Sequence, residues 1–91
     1  MNSTMNKSLL LEFALQHEDP DNPMVKMDGY DDCVAGVCIR FGQVPILCYD
    51  RARVIQKLMK DMTEEEAEEW FGFNQMGAWV GETTPCFIVK P

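Results

Sequence analysis

The chain alternates between short apolar runs and polar, proline- or glycine-marked breaks. Leu9–Gln16 reads LLLEFALQ. So short a run fits a strand or a helical turn. The alternation of Leu11, Phe13 and Leu15 with Glu12 and Ala14 favours the strand. His17–Met27 carries Pro20 and Pro23 among Asp and Asn, which predicts a loop. In Asp28–Phe41, Tyr30, Cys33, Val34, Val37, Cys38 and Phe41 fall at helical spacing. Asp28 caps such a helix, Asp31 and Asp32 suit its positive end, and Gly42 terminates it. The β-branched content of Val34–Phe41 supports a competing strand, but the caps agree with the helical period.

The second half is patterned more clearly. Val44–Tyr49, VPILCY, predicts a buried strand. Asp50 then caps a helix to about Lys60. Its apolar stripe is Val54, Ile55, Leu58 and Met59, and its basic side is Arg51, Arg53, Lys57 and Lys60. Thr63 and Glu66 have the capping-box spacing, and Met62 can staple onto Ala67. The third helix would bury Ala67, Trp70, Phe71 and Asn74. After a glycine-flanked GAWVGE segment and a Thr83–Pro85 turn, Cys86–Val89 predicts a further strand. Six elements follow: strand-like, helix, strand, helix, helix, strand. They predict an α+β fold, a small sheet of about three strands with about three helices.

Ninety-one residues suit a single domain, 1–91, with 1–8 a fraying end and 17–27 a loop. Such a chain has a thin core, which makes a homodimer a candidate supplement. No apolar run reaches the roughly 20 residues of a membrane helix, and the first fifteen residues make a poor signal peptide. No membrane partner is expected. Cys33, Cys38, Cys48 and Cys86 match neither a C-x-x-C redox pair nor a paired zinc motif. Among apolar neighbours they read as small buried hydrophobes in a reducing cytoplasm.

Eight basic against fifteen acidic residues give a formal net charge of -7. That excludes a general phosphate-backbone binder, so no direct nucleic-acid contact is expected. The acid is concentrated. Glu64, Glu65, Glu66, Glu68 and Glu69 lie within one helical stretch. Such a run is ordinarily a solvated face near a positive helix end. Its functional alternative is a docking surface for a basic partner, with Glu64, Glu65, Glu68 and Glu69 as contacts. Asp28, Asp31 and Asp32 form a second acidic spot.

A second candidate gathers Asn74, Trp79, Glu82 and Thr84 around the GAWVGE segment as contacts for a small ligand such as a nucleotide. A structural role for these residues is the alternative. An anionic ligand would require Arg40, Arg51 and Arg53 to converge. Catalytic chemistry finds no residues. His17, alone in an acidic loop, has no organised nucleophile beside it. Glu18, Asp19 and Asp21 lack calcium-loop spacing, and no phosphate-binding glycine motif occurs. Neither an enzyme, a metal nor a cofactor is expected.

Tyr49-Asp50, Met62-Thr63-Glu64-Glu65-Glu66-Ala67, Phe73-Asn74, Gly77-Ala78-Trp79-Val80-Gly81-Glu82 and Thr84-Pro85 together resemble a group of small bacteriophage- and prophage-encoded proteins. The resemblance spans about Asp28–Ile88 and supplies no catalytic or binding residue. It implies a viral protein made in the cytoplasm of a bacterial host. The expected function is binding and blocking a host protein with a basic surface, such as a nucleic-acid-handling defence complex. Small-ligand binding or sequestration is the alternative.

Overall fold

The computed structural model describes residues 3–75 and 80–91, with side chains described from Leu9 onward except that of Gln75. Helix α1 spans Ser3–Leu15. A 3₁₀ turn, Asp31–Cys33, leads into strand β1, Val34–Cys38. Strand β2 spans Ile46–Asp50, helix α2 Arg51–Leu58 and helix α3 Glu64–Trp70. A π-helical turn, Phe71–Gln75, extends α3, and strand β3 spans Cys86–Ile88. Among the described residues these elements make a small α+β fold of three α-helices and a three-stranded mixed sheet.

β2 is the central strand. It pairs antiparallel with β1 and parallel with β3. The parallel pair needs a crossover, and α2 and α3 supply it. The β1–β2 connection turns at Gly42, whose φ of 73° lies where a side chain is disfavoured. Arg40 braces this end of the sheet. Its Nη2 donates to the Val44 carbonyl at 3.2 Å and to the Glu82 carbonyl at 3.0 Å.

One buried cluster joins the layers: Ala14 of α1, Cys33 and Val34, Leu47 and Tyr49 of β2, Val54, Ile55 and Leu58 of α2, and Ala67 and Phe71. Tyr49 is fully buried, and its hydroxyl accepts from the Met27 backbone N–H at 2.8 Å. Desolvation in that setting pushes its phenol up.

Two expectations exchange places. Leu9–Leu15 is helical, not a strand, and the helix begins at Ser3, inside the stretch expected to fray. Leu11, Ala14 and Leu15 face the core at helical spacing, while Phe13 is exposed. The apparent alternation therefore placed Phe13 on the wrong side. Asp28–Phe41 is not a helix. The competing strand holds, shortened to Val34–Cys38 and entered through the 3₁₀ turn. A bulge at Val34/Gly36 interrupts its ladder. Pairing with β2 gives β1 hydrogen bonds that outweigh a local capping pattern. Gly42 terminates no helix but turns the hairpin.

The remaining elements fall where expected. Asp50 caps α2, its carboxylate accepting from the Ala52 and Arg53 N–H groups at 3.0 and 3.4 Å. Val54, Ile55 and Leu58 are buried as the stripe requires, whereas Met59, just past the helix, is exposed. α3 opens with the capping box: the Glu66 N–H donates to Thr63 Oγ1 at 3.2 Å, and the Thr63 N–H donates to Glu66 Oε1 at 2.9 Å. Met62 packs against the core from one residue before the cap.

Candidate functional site: the acidic and aromatic face of α3

α3 buries little of itself. Ala67 and, four residues on, Phe71 reach the core. Phe71 stacks edge-on to Phe87 with ring centroids 4.9 Å apart, and the Arg51 guanidinium lies over the Phe71 ring, 5.1 Å from its centroid. The rest of the helix faces outward. Trp70 and Asn74, expected on the apolar face, are exposed instead. Ala67 and Phe71 already fill the one-turn contact, and the π turn begins at Phe71. The Asn74 amide donates back to the Trp70 carbonyl at 3.1 Å.

The five glutamates divide by environment. Glu66 is held by the capping box. Glu68 is half-buried and ion-paired with Arg51, which ties α3 to α2. Glu64, Glu65 and Glu69 are exposed and form no ion pair among the described residues. Of the four predicted partner contacts, Glu64, Glu65 and Glu69 therefore carry unneutralised charge, and Glu68 is engaged inside the fold. The acidic first turn also sits at the positive end of the helix, which stabilises these carboxylates where they stand.

Two aromatic side chains join the acids. Trp70 is 46% exposed and Phe73 84% exposed. They line a shallow groove of about 420 Å³ with Asp61, Met62, Glu66, Glu69 and Asn74. Large exposed aromatics beside a charged rim are the composition of a protein contact surface. Trp70, at the spacing of a buried residue, is thus exposed, and Phe73 joins it on this face. Trp70 lies three residues from Ala67, a spacing the helical period allows on the buried face, so its exposure was not legible in the pattern.

The second acidic spot is partly neutralised. Asp32 accepts from Lys57 at 2.7 Å, which raises the Lys57 pKa, and Asp31 lies 3.7 Å from Lys26. Lys57, assigned to the wet side of α2, thus reaches back to the 3₁₀ turn, with its ammonium 5.9 Å from the Tyr30 ring.

The ligand candidates are brought together in part. Asn74 and Thr84 line one cleft of about 280 Å³, with Val25, Met27, Tyr30 and Phe87 among its walls. Thr84 Oγ1 accepts from the Val80 N–H at 2.8 Å and donates to the Gly81 carbonyl at 2.6 Å, which folds the loop beneath it. Glu82 is exposed and absent from this lining; its backbone carbonyl serves Arg40. Trp79 lies outside the described residues. Arg40, Arg51 and Arg53 do not converge: they serve loop carbonyls, Glu68 and Asp50 respectively.

The His17 loop is built from its own polar groups. The Glu18 carboxylate accepts from the Met24 N–H at 2.6 Å, Asp19 accepts from the Asn22 amide at 2.6 Å, and His17 Nδ1 lies 3.1 Å from the Phe13 carbonyl. Among the described residues no group of three or more His, Cys, Asp or Glu side chains is arranged to hold a metal ion. Nor is any described helix long and apolar enough to cross a membrane. No family model matches the chain, and neither a curated protein nor a solved structure matches it.

Proposed function

We infer that the chain is a binding protein that docks through the outer face of α3 onto a protein with a basic surface. The observation that carries this reading is one patch on which Glu64, Glu65 and Glu69 stand exposed beside Trp70 and Phe73. The acids supply long-range attraction and orientation. The aromatics supply buried area once contact is made. The resemblance to phage-encoded proteins makes the partner a factor of the bacterial cytoplasm. A protein whose own ligand is nucleic acid fits the charge best, because its cleft is basic. Occupying that cleft would block it, with no catalysis by this chain.

Substitution separates the two contributions. Reversing Glu65 and Glu69 to Lys should slow association and flatten its salt dependence. Trp70→Ala should speed dissociation, by about tenfold or more if Trp70 anchors the contact. Surface plasmon resonance on a captured partner reads both. Unchanged binding by both variants would remove this face from the function.

A second reading rests on the cleft shared by Asn74 and Thr84. Its apolar walls and few polar groups suit a small ligand. Native mass spectrometry of the purified chain tests it: a bound metabolite lost in Asn74→Ala supports it, and a ligand-free spectrum counts against it.

A further inference from the structure

The two faces of the sheet carry different chemistry. Val37, Leu47, Tyr49 and Phe87 turn toward the core. Residues directly paired across strands share a face. Gly36 pairs with Cys48, Cys38 with Ile46, and Cys48 with Cys86. The opposite face therefore gathers Cys38, Cys48 and Cys86 from three neighbouring strands. All three are free cysteines and only partly buried. Cys48 and Cys38 both act electrostatically on the Cys86 thiol, which places the three in one neighbourhood. Cys33 belongs elsewhere: it is buried in the core, its thiol donating to Asp32 at 3.7 Å.

Register selects one pair from the three. Cys48 and Cys86 stand directly opposite each other on adjacent strands. Neighbouring strands lie about 4.8 Å apart, inside the Cα separation of roughly 4.4–6.8 Å that a disulfide spans. Cys38 and Cys86 are separated by the whole of β2. Cys38 and Cys48 are diagonal neighbours, at about 7–8 Å, beyond easy bridging.

We propose that Cys48 and Cys86 are a reversible redox pair, closed to a disulfide by a peroxide and reopened by a thiol reductant. The Cys48 thiolate attacks one peroxide oxygen, the O–O bond breaks, and hydroxide leaves to become water. Cys48 is then a sulfenic acid. The Cys86 sulfur displaces its hydroxyl: the S–S bond forms, the S–O bond breaks, and the Cys86 proton leaves with the hydroxyl as a second water. Two thiols and one hydrogen peroxide give one disulfide and two waters, with two electrons passing from sulfur to peroxide.

The order of attack follows from environment. Burial, reinforced by the neighbouring Cys48 and Cys38, pushes the Cys86 thiol up to about 12. It stays protonated at neutral pH and acts second. A thiol reductant reopens the bridge by thiol–disulfide exchange at one of its sulfurs.

The test uses the reduced full-length chain and hydrogen peroxide, followed by thiol blocking and trypsin. Cleavage after Lys26, Arg40, Arg51 and Lys60 puts Cys33 and Cys38 in 27–40, Cys48 in 41–51 and Cys86 in 61–91. The expected product joins 41–51 to 61–91, leaves two blocked thiols in 27–40, and is reversed by dithiothreitol. In Cys86→Ser, Cys48 should accumulate as a sulfenic acid that a dimedone probe captures. A link through 27–40, sulfinic acid in place of a disulfide, or four unreacted thiols would each overturn the proposal. The wild-type map stands without any variant having to fold.

Discussion

Tyr49 and Asp50 are adjacent and do opposite jobs. The Tyr49 ring fills the core, while its hydroxyl gives the Met27 N–H a partner across 22 positions of sequence. Tyr49→Phe keeps the ring and leaves that N–H unsatisfied. A loss of about 1–3 kcal/mol is expected by urea denaturation. Asp50 is 5% exposed, yet it caps α2 and accepts from Lys90 at 2.8 Å. Burial alone would raise its pKa. The hydrogen bonds from Lys90, Arg53 and Ala52 outweigh that, and the net shift is below 3.8. A group depressed on folding contributes stability above its unfolded value and loses it as the pH falls through the folded one. The wild-type chain should therefore lose Asp50's share of stability below about pH 4. Asp50→Asn should abolish that share of the acid dependence, as urea midpoints from pH 2 to 6 would show. Asp50→Ala should cost about 1–2 kcal/mol at neutral pH through the lost cap.

At the scale of elements, legibility tracks how local the stabilising interactions are. α2 and α3 were readable because their caps and stripes lie within a few residues: Asp50 to Ala52 and Arg53, and Thr63 to Glu66. Thr63→Ala removes one half of the box. It should cost about 1 kcal/mol and lower the melting temperature, and an unchanged melting temperature would show that α3 is held by Ala67 and Phe71 alone. β1 is hidden from the local pattern because what decides it lies 8 to 15 residues away. Cys38 pairs with Ile46 and Val34 with Tyr49, and no local pattern encodes that pairing. Leu9–Gln16 misleads for the converse reason: Ala14, its one fully buried residue, is small, while the large Phe13 that completes the alternation is exposed. The thiol face was invisible for the same reason as β1: Cys38, Cys48 and Cys86 become neighbours only once the register is known.

For the molecule as a whole, charge and packing are divided between different surfaces. The core occupies one side of the sheet, and most basic groups near it are engaged: Arg51 with Glu68, Lys57 with Asp32, Arg40 with two carbonyls. What remains outward on α3 is acid and aromatic. The sequence made the acid legible. It did not separate Glu68, which holds two helices together, from Glu64, Glu65 and Glu69, which bind nothing inside the described fold. The most direct measurement is a quantitative pull-down from bacterial lysate, comparing the wild-type chain with a Glu64→Lys/Glu65→Lys/Glu69→Lys variant at low and high salt. These three side chains are exposed, so the variant should fold, which its circular dichroism spectrum verifies. A stoichiometric partner should be held by the wild type at low salt, released at high salt, and absent from the variant. Recovery of the same partner by the folded variant, with the same salt dependence, would contradict it.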